Sequence, residues 1–190
     1  MRKKVFVETQ NQTTKAYFGW QDKSKALWGL KYGYKNSADE LVNIALLKGE
    51  EGDLLTLDTY IFPILFLFRH AIELSLKIIY YRIYGQVIQI HELDKLWSKV
   101  YEALIQNFNI DKHPITGIDF QELKEIFAEL QNVDRKSDVW RYLIDNNDTL
   151  YFTDDKHIDY VNLRDVLGDV YEKLDYLDNF VLGRLIGEEQ

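Results

Sequence analysis

Cysteine is absent from the 190-residue chain. That excludes disulfides and thiolate catalysis, and it fits a reducing compartment. Proline occurs twice and glycine ten times, so little punctuates the chain and long unbroken helices are expected. No apolar run reaches the ~20 residues that a membrane span needs, because "YIFPILFLF" is interrupted by Arg69 and His70. Positive charge is also short. The formal net charge is −8 and the isoelectric point is near 5.0, which argues against diffuse attraction to nucleic acid or to an anionic membrane. A local basic pocket stays compatible with that balance.

Several motifs are missing too. There is no P-loop and no GxGxxG to cradle a nucleotide phosphate, and no GxSxG elbow. The four histidines, His70, His91, His113 and His157, have neither HxxxH nor HExxH spacing, so no metal site and no cofactor is expected. The start "MRKKVFVETQNQTT" is basic but lacks the apolar core of a signal peptide. The expectation is a soluble cytoplasmic protein.

What is present is helical periodicity and many aromatics, 13 Tyr, 10 Phe and 4 Trp, which favour a dense core. Residues 1–21 read as an extended start and a polar loop. A first helix is expected from about Asp22 to Lys48, with apolar residues at Leu27, Leu30, Tyr34, Ala38, Leu41 and Ala45. "KGEEGD" stops it. A second helix is expected from Pro63, a residue suited to the first turn, to Tyr84, with Gly85 as its stop. "QVIQI" is β-prone. A third helix should run from His91 to Phe108 and a fourth from Phe120 to Val133. Between 134 and 158, "RYLIDNNDTLYFTDD" suggests a small hairpin or ordered loop.

The last helix is expected over Asp159–Leu185. Its seam of Leu163, Leu167, Val170, Leu174, Leu177, Val181 and Leu185 is nearly heptadic. Such a seam serves either a dimer or an internal bundle face, and the internal face is the expected use in a chain of this size. The fold class is therefore all-α: one domain, an antiparallel bundle of about five helices with a loop insertion.

Chemistry concentrates on the second helix. At about 100° per residue, with Arg69 at zero, Glu73 lies near 40°, Lys77 near 80° and His70 near 100°. Tyr80 and Tyr84 fall in the same sector, and the rest of the circle is apolar. The stripe has two readings. Either it is the solvent side, laced by Arg69–Glu73 and Glu73–Lys77 pairs worth ~0.2–0.5 kcal/mol each, or it lines a cleft or association surface where its charges are desolvated and held by one another. His91, in "HELDKLW", either caps the third helix or joins this stripe. Arg141 stands between Trp140 and Tyr142, a setting for cation–π packing or for a site.

"LFLFRHAIELSLK" followed by "HELDKLW", with "DRKSDVWRY" further on, resembles the HEPN superfamily, and specifically an uncharacterised bacterial branch of it. The resemblance spans roughly residues 22–185 and rests on those three blocks. It implies an antiparallel helical bundle, usually a homodimer, and for many members a metal-independent ribonuclease acting as a toxin, countered by an antitoxin partner, or in phage defence. Other members have lost catalysis and only bind or dimerise.

The chain departs from active members in one respect. They carry an arginine followed a few residues later by histidine on a late helix, whereas here Arg82 to His91 is too long and His157 to Arg164 runs in reverse. Catalysis would have to rest on Arg69, His70, Glu73, His91 and Arg141 converging from separate elements, with Lys77, Tyr80 and Tyr142 as binding residues for RNA or a nucleotide. Histidine suits proton transfer near neutral pH, and an arginine fork matches phosphate oxygens. The competing expectation is a non-catalytic homodimeric module in which the stripe is structural.

Overall fold

The structure is a computed structural model describing residues 5–19, 21–135 and 137–188, without the Glu188 side chain. Its helices are α1 (Lys23–Glu50), α2 (Leu54–Tyr84), α3 (Leu93–Phe108), α4 (Phe120–Val133), the short α5 (Val139–Tyr142) and α6 (Tyr160–Glu188). Residues 5–19 lie outside the helices and are largely exposed; residues 1–4 and Trp20, which belong to the same expected segment, fall outside the described residues.

Local chemistry explains the boundaries. Asp22 caps α1 by accepting from the Lys25 N–H at 2.9 Å. The turn Glu51–Asp53, with Gly52 at φ +79°, is so short that α2 must return antiparallel beside α1. The second helix begins at Leu54, nine residues before the expected Pro63. Asp53 is the stronger start signal: it accepts from the Thr56 N–H at 3.1 Å and the Thr56 hydroxyl at 2.7 Å. Pro63 is tolerated inside α2. Proline costs a helix the bond to the carbonyl four residues back, and here both Thr59 and Pro63 are exposed, so water reaches the orphaned carbonyl.

The third helix starts at Leu93, not His91, and the Leu93 N–H, a first-turn donor without an intrahelical partner, is satisfied by Gln131 Oε1 at 2.8 Å. "QVIQI" forms no strand; Ile88 and Ile90 instead pack on the core. The 134–158 segment holds α5 and a single antiparallel bridge, Ile144 to Leu150, closed by Asp145, whose carboxylate accepts from the N–H groups of Asn147 and Thr149.

One hydrophobic cluster draws on all five long helices, including Val42, Phe68, Leu76, Leu96, Phe127 and Leu174. The α6 seam turns inward: Leu167, Val170, Leu174, Leu177 and Val181 are buried. No described helix is long and apolar enough to cross a membrane.

A buried ionic junction joins α1, α2 and α6. Lys31, 1% exposed, donates to Asp175 at 2.8 Å and lies 3.5 Å from Asp178. Arg82 pairs with the same Asp178 through Nε and, at 3.2 Å, through Nη2. The Tyr171 ring centroid lies 5.8 Å from the Lys31 ammonium. Burial, followed by the charge of Asp175, pushes the Tyr171 phenol up to about 12.

Because the α6 seam is internal, Leu174→Ala should lower unfolding free energy by about 2–5 kcal/mol without changing the particle mass. Denaturant titration and light scattering read the two effects separately.

Candidate functional site

The polar stripe of α2 is not a solvent face. Arg69 is 4% exposed, Glu73 3% and Lys77 6%. The cover comes from two distant parts of the chain, the segment entering α3 and the loop leaving α4, which supply His91 and Asp134.

Glu73 is the hub. Its Oε1 accepts from the Lys77 ammonium at 2.9 Å and meets His91 Nδ1 at 2.9 Å. Its Oε2 accepts from Arg69 Nη1 at 3.2 Å. Arg69 continues the network: Nη2 donates to the His91 carbonyl at 3.0 Å. Its Nε lies 3.1 Å from an Asp134 oxygen, close enough for an ion pair but off the line of a hydrogen bond. The other Asp134 oxygen accepts from the Asp138 and Val139 N–H groups, which fixes the start of α5. Gln131 bridges further, accepting from Leu93 N–H and donating to the Arg135 carbonyl at 2.8 Å. Three separated strings are thereby tied to one carboxylate.

Burial is the largest single influence on Glu73 and pushes its carboxyl up. The hydrogen bond and charge of Lys77, the bond from His91 and the charge of Arg69 outweigh it, so Glu73 stays below the ordinary carboxylate range. His70 is held differently. Its ring meets Tyr34 edge-on at 4.7 Å and stacks on Phe66 at 5.8 Å, while its Nδ1 stands 4.0 Å from Glu73. Burial pushes this imidazole below its ordinary pKa. The Lys77 and Arg69 charges act in the same sense, against the pull of Glu73. His70 is therefore mainly neutral at pH 7.

His91 differs from the rest of the network in exposure. Its side chain is 64% exposed. In the neutral ring, Glu73 as acceptor puts the proton on Nδ1 and leaves the lone pair on Nε2, which has no protein partner among the described residues. A buried carboxylate thus orients an accessible imidazole base.

The remaining expected residues lie apart. Arg141 is exposed; its Nε donates to the Ser137 carbonyl at 3.0 Å and its guanidinium sits 5.0 Å from the Tyr142 ring centroid. Tyr142 is exposed. Neither has a hydrogen bond or ion pair to the Glu73 network among the described residues. Tyr80 packs on Tyr84, 4.8 Å between centroids. Asp134 was not among the expected residues, although it opens the "DRKSDVWRY" string; an aspartate just past a helix end reads as a turn residue unless its partner is known. The Lys31–Asp178 junction was equally unexpected. Two cavities, about 780 Å³ between α3 and α4 around Trp97, Tyr101 and Phe120 and about 460 Å³ around Phe108, Tyr176 and Arg184, are lined by other residues. Charge convergence, not cavity size, selects the Glu73 centre.

Removing the hub should be severe. Glu73→Gln leaves Arg69 and Lys77 short of compensation and should cost about 3–5 kcal/mol, measured by urea unfolding at pH 7. Acid should also destabilise the protein in two stages. Both groups have folded pKa values below their unfolded ones, so each contributes stability that is complete above the unfolded value and lost as pH falls through the folded one. Loss should begin below 6.5 for His70 and below 4.5 for Glu73. In a urea-midpoint series against pH, His70→Ala should abolish the first stage and keep the second.

No protein-family model, no curated protein and no solved structure matches this chain.

Proposed function

We propose that the Glu73 centre serves a HEPN-like, metal-independent ribonuclease of toxin or phage-defence type. The observation that carries this reading is the exposed His91 imidazole held by a buried carboxylate, at a point where the three strings resembling that superfamily meet. In this scheme His91 Nε2 takes the proton of the RNA 2′-hydroxyl, and the resulting oxygen attacks the adjacent phosphorus. The bond to the 5′-oxygen breaks, and the His91 imidazolium returns its proton to that leaving oxygen. The products are a 2′,3′-cyclic phosphate and a 5′-hydroxyl, with no net change in protons.

Arg69 and Lys77 are positioning residues, since carboxylates already neutralise them. The cations left for phosphate are on the following segment. Arg135 and Arg141 are both exposed and neither is paired with a carboxylate among the described residues. They supply local positive charge on a chain of net charge −8, and Tyr142 offers an exposed ring on which a base can stack.

A second reading rests on one observation. Two buried cations, Arg69 and Lys77, face two buried anions, Glu73 and Asp134, so the network is balanced without a ligand. A non-catalytic binding module needs no more than that.

Incubation of the purified full-length protein with RNA in excess EDTA separates the two. The ribonuclease reading expects cleavage that persists in EDTA. It should fall on the order of 10²-fold or more in His91→Ala, with circular dichroism unchanged because the ring is exposed. Arg141→Ala should raise KM more than it lowers kcat. Equal cleavage by wild type and His91→Ala, or none by either, would favour the binding module.

A further inference from the structure

Two clefts lie outside the Glu73 network, and they differ in how many of their polar groups are already bonded. In the larger, between α3 and α4, Ser98 donates to the Asp94 carbonyl, Glu102 holds Lys99, Gln121 donates to Glu125 and Asp119 caps α4. The smaller, about 460 Å³, lies between the end of α3, the 109–119 loop and α6. Asn109, His113, Thr116, Tyr176 and Arg184 line it, all exposed. None of these five side chains makes a hydrogen bond or an ion pair to protein among the described residues.

The charge of this cleft has one sign. No aspartate or glutamate lines it, although 31 of the 190 residues are acidic. Arg184 is set over the Phe180 ring, 5.4 Å from the guanidinium carbon to the centroid. The ring orients the planar fork and takes none of its N–H donors. His113 offers at least one ring N–H in either protonation state, and Thr116 and Tyr176 add hydroxyls. The rest of the lining is largely apolar. Phe180 meets Phe108 edge-on at 5.8 Å, and Pro114 and Ile115 come from the loop.

We propose that this cleft binds a small carboxylate that carries an aromatic ring. A carboxylate presents two oxygens at the spacing of a guanidinium fork, and Phe108 and Phe180 give the ring an aromatic surface to pack on. A doubly charged anion fits less well. The last carbonyls of α3 bring partial negative charge to this end of the helix, and Asn109, its C-cap, lines the cleft. The volume lies within the range of small-molecule sites, about 300–1,000 Å³. His91 and the cleft stand at opposite ends of α3, whose Leu93–Phe108 span rises about 22 Å. The inference therefore stands independently of the reading of the Glu73 centre.

NMR titration of the full chain provides the test, with hydrocinnamate, its uncharged amide, propionate and inorganic phosphate as probes. Hydrocinnamate should bind saturably, with a dissociation constant on the order of 1 mM or below. It should move the amide signals of residues 107–117 and 176–184, which border the cleft. The amide lacks the charge and propionate lacks the ring, so each should bind at least about tenfold more weakly. Arg184→Gln should weaken hydrocinnamate by about tenfold or more, with circular dichroism unchanged because the side chain is exposed. No saturation by about 10 mM, signals that move only around Glu73, an amide bound as tightly as the acid, propionate bound as tightly as hydrocinnamate, or an Arg184→Gln variant that binds like wild type would overturn the site. Phosphate bound more tightly than hydrocinnamate would overturn its assignment to a carboxylate.

Discussion

A carboxylate that is 3% exposed at the middle of the most apolar helix sets the terms for much of this structure. An isolated charge in that position would either neutralise or unfold its surroundings. Glu73 stays ionised because Lys77, His91 and Arg69 surround it, and Arg69 in turn needs Asp134 and a backbone carbonyl. These partners come from α2, from the approach to α3 and from the exit of α4. Satisfying one anion therefore fixes where three segments meet and, through the Asp134 cap, how α5 begins. Apolar packing alone tolerates sliding between helices; this set of directional bonds does not.

One other α2 residue, Arg82, repeats the theme at a different level of the bundle. Arg82 and Lys31 share Asp178, bringing α1 and α6 onto the same helix. The central helix is thus buried on apolar contacts and registered by two ionic junctions. The first has a member at the surface, His91. In the second, Lys31 and Asp178 are buried, Arg82 is partly so, and Asp175 stands at the rim, with no imidazole among them. That contrast is why reactive chemistry is assigned to one and a structural part to the other.

Much of the helical architecture was legible in the residues, because 3.6-residue periodicity reports burial directly. The α6 seam and the limits of α4 follow from it. The narrow stripe at Arg69, Glu73 and Lys77 was visible as an anomaly for the same reason. Its burial was not, since the cover comes from residues 18 and 61 positions after Glu73, His91 and Asp134, and periodicity carries no information about distant segments. Pro63 misled the start of α2 because a proline that reads as a helix opener also survives inside a helix when the carbonyl it strands faces water. Lys31 gave no signal at all. A lysine on a helix is ordinarily solvated even when Leu30 and Tyr32 flank it, and only Asp175 and Asp178, far along the chain, compensate its burial.

The central claim is that Glu73 holds His91 with its proton on Nδ1 and its lone pair on Nε2. Nitrogen-15 NMR of the histidine rings at neutral pH tests it directly, with His91→Ala used to assign the signal. The account predicts that neutral His91 is the Nδ1–H tautomer in the wild type and loses that bias in any folded Glu73 variant. A wild-type His91 carrying its proton on Nε2, or populating both tautomers as a free imidazole does, would contradict it.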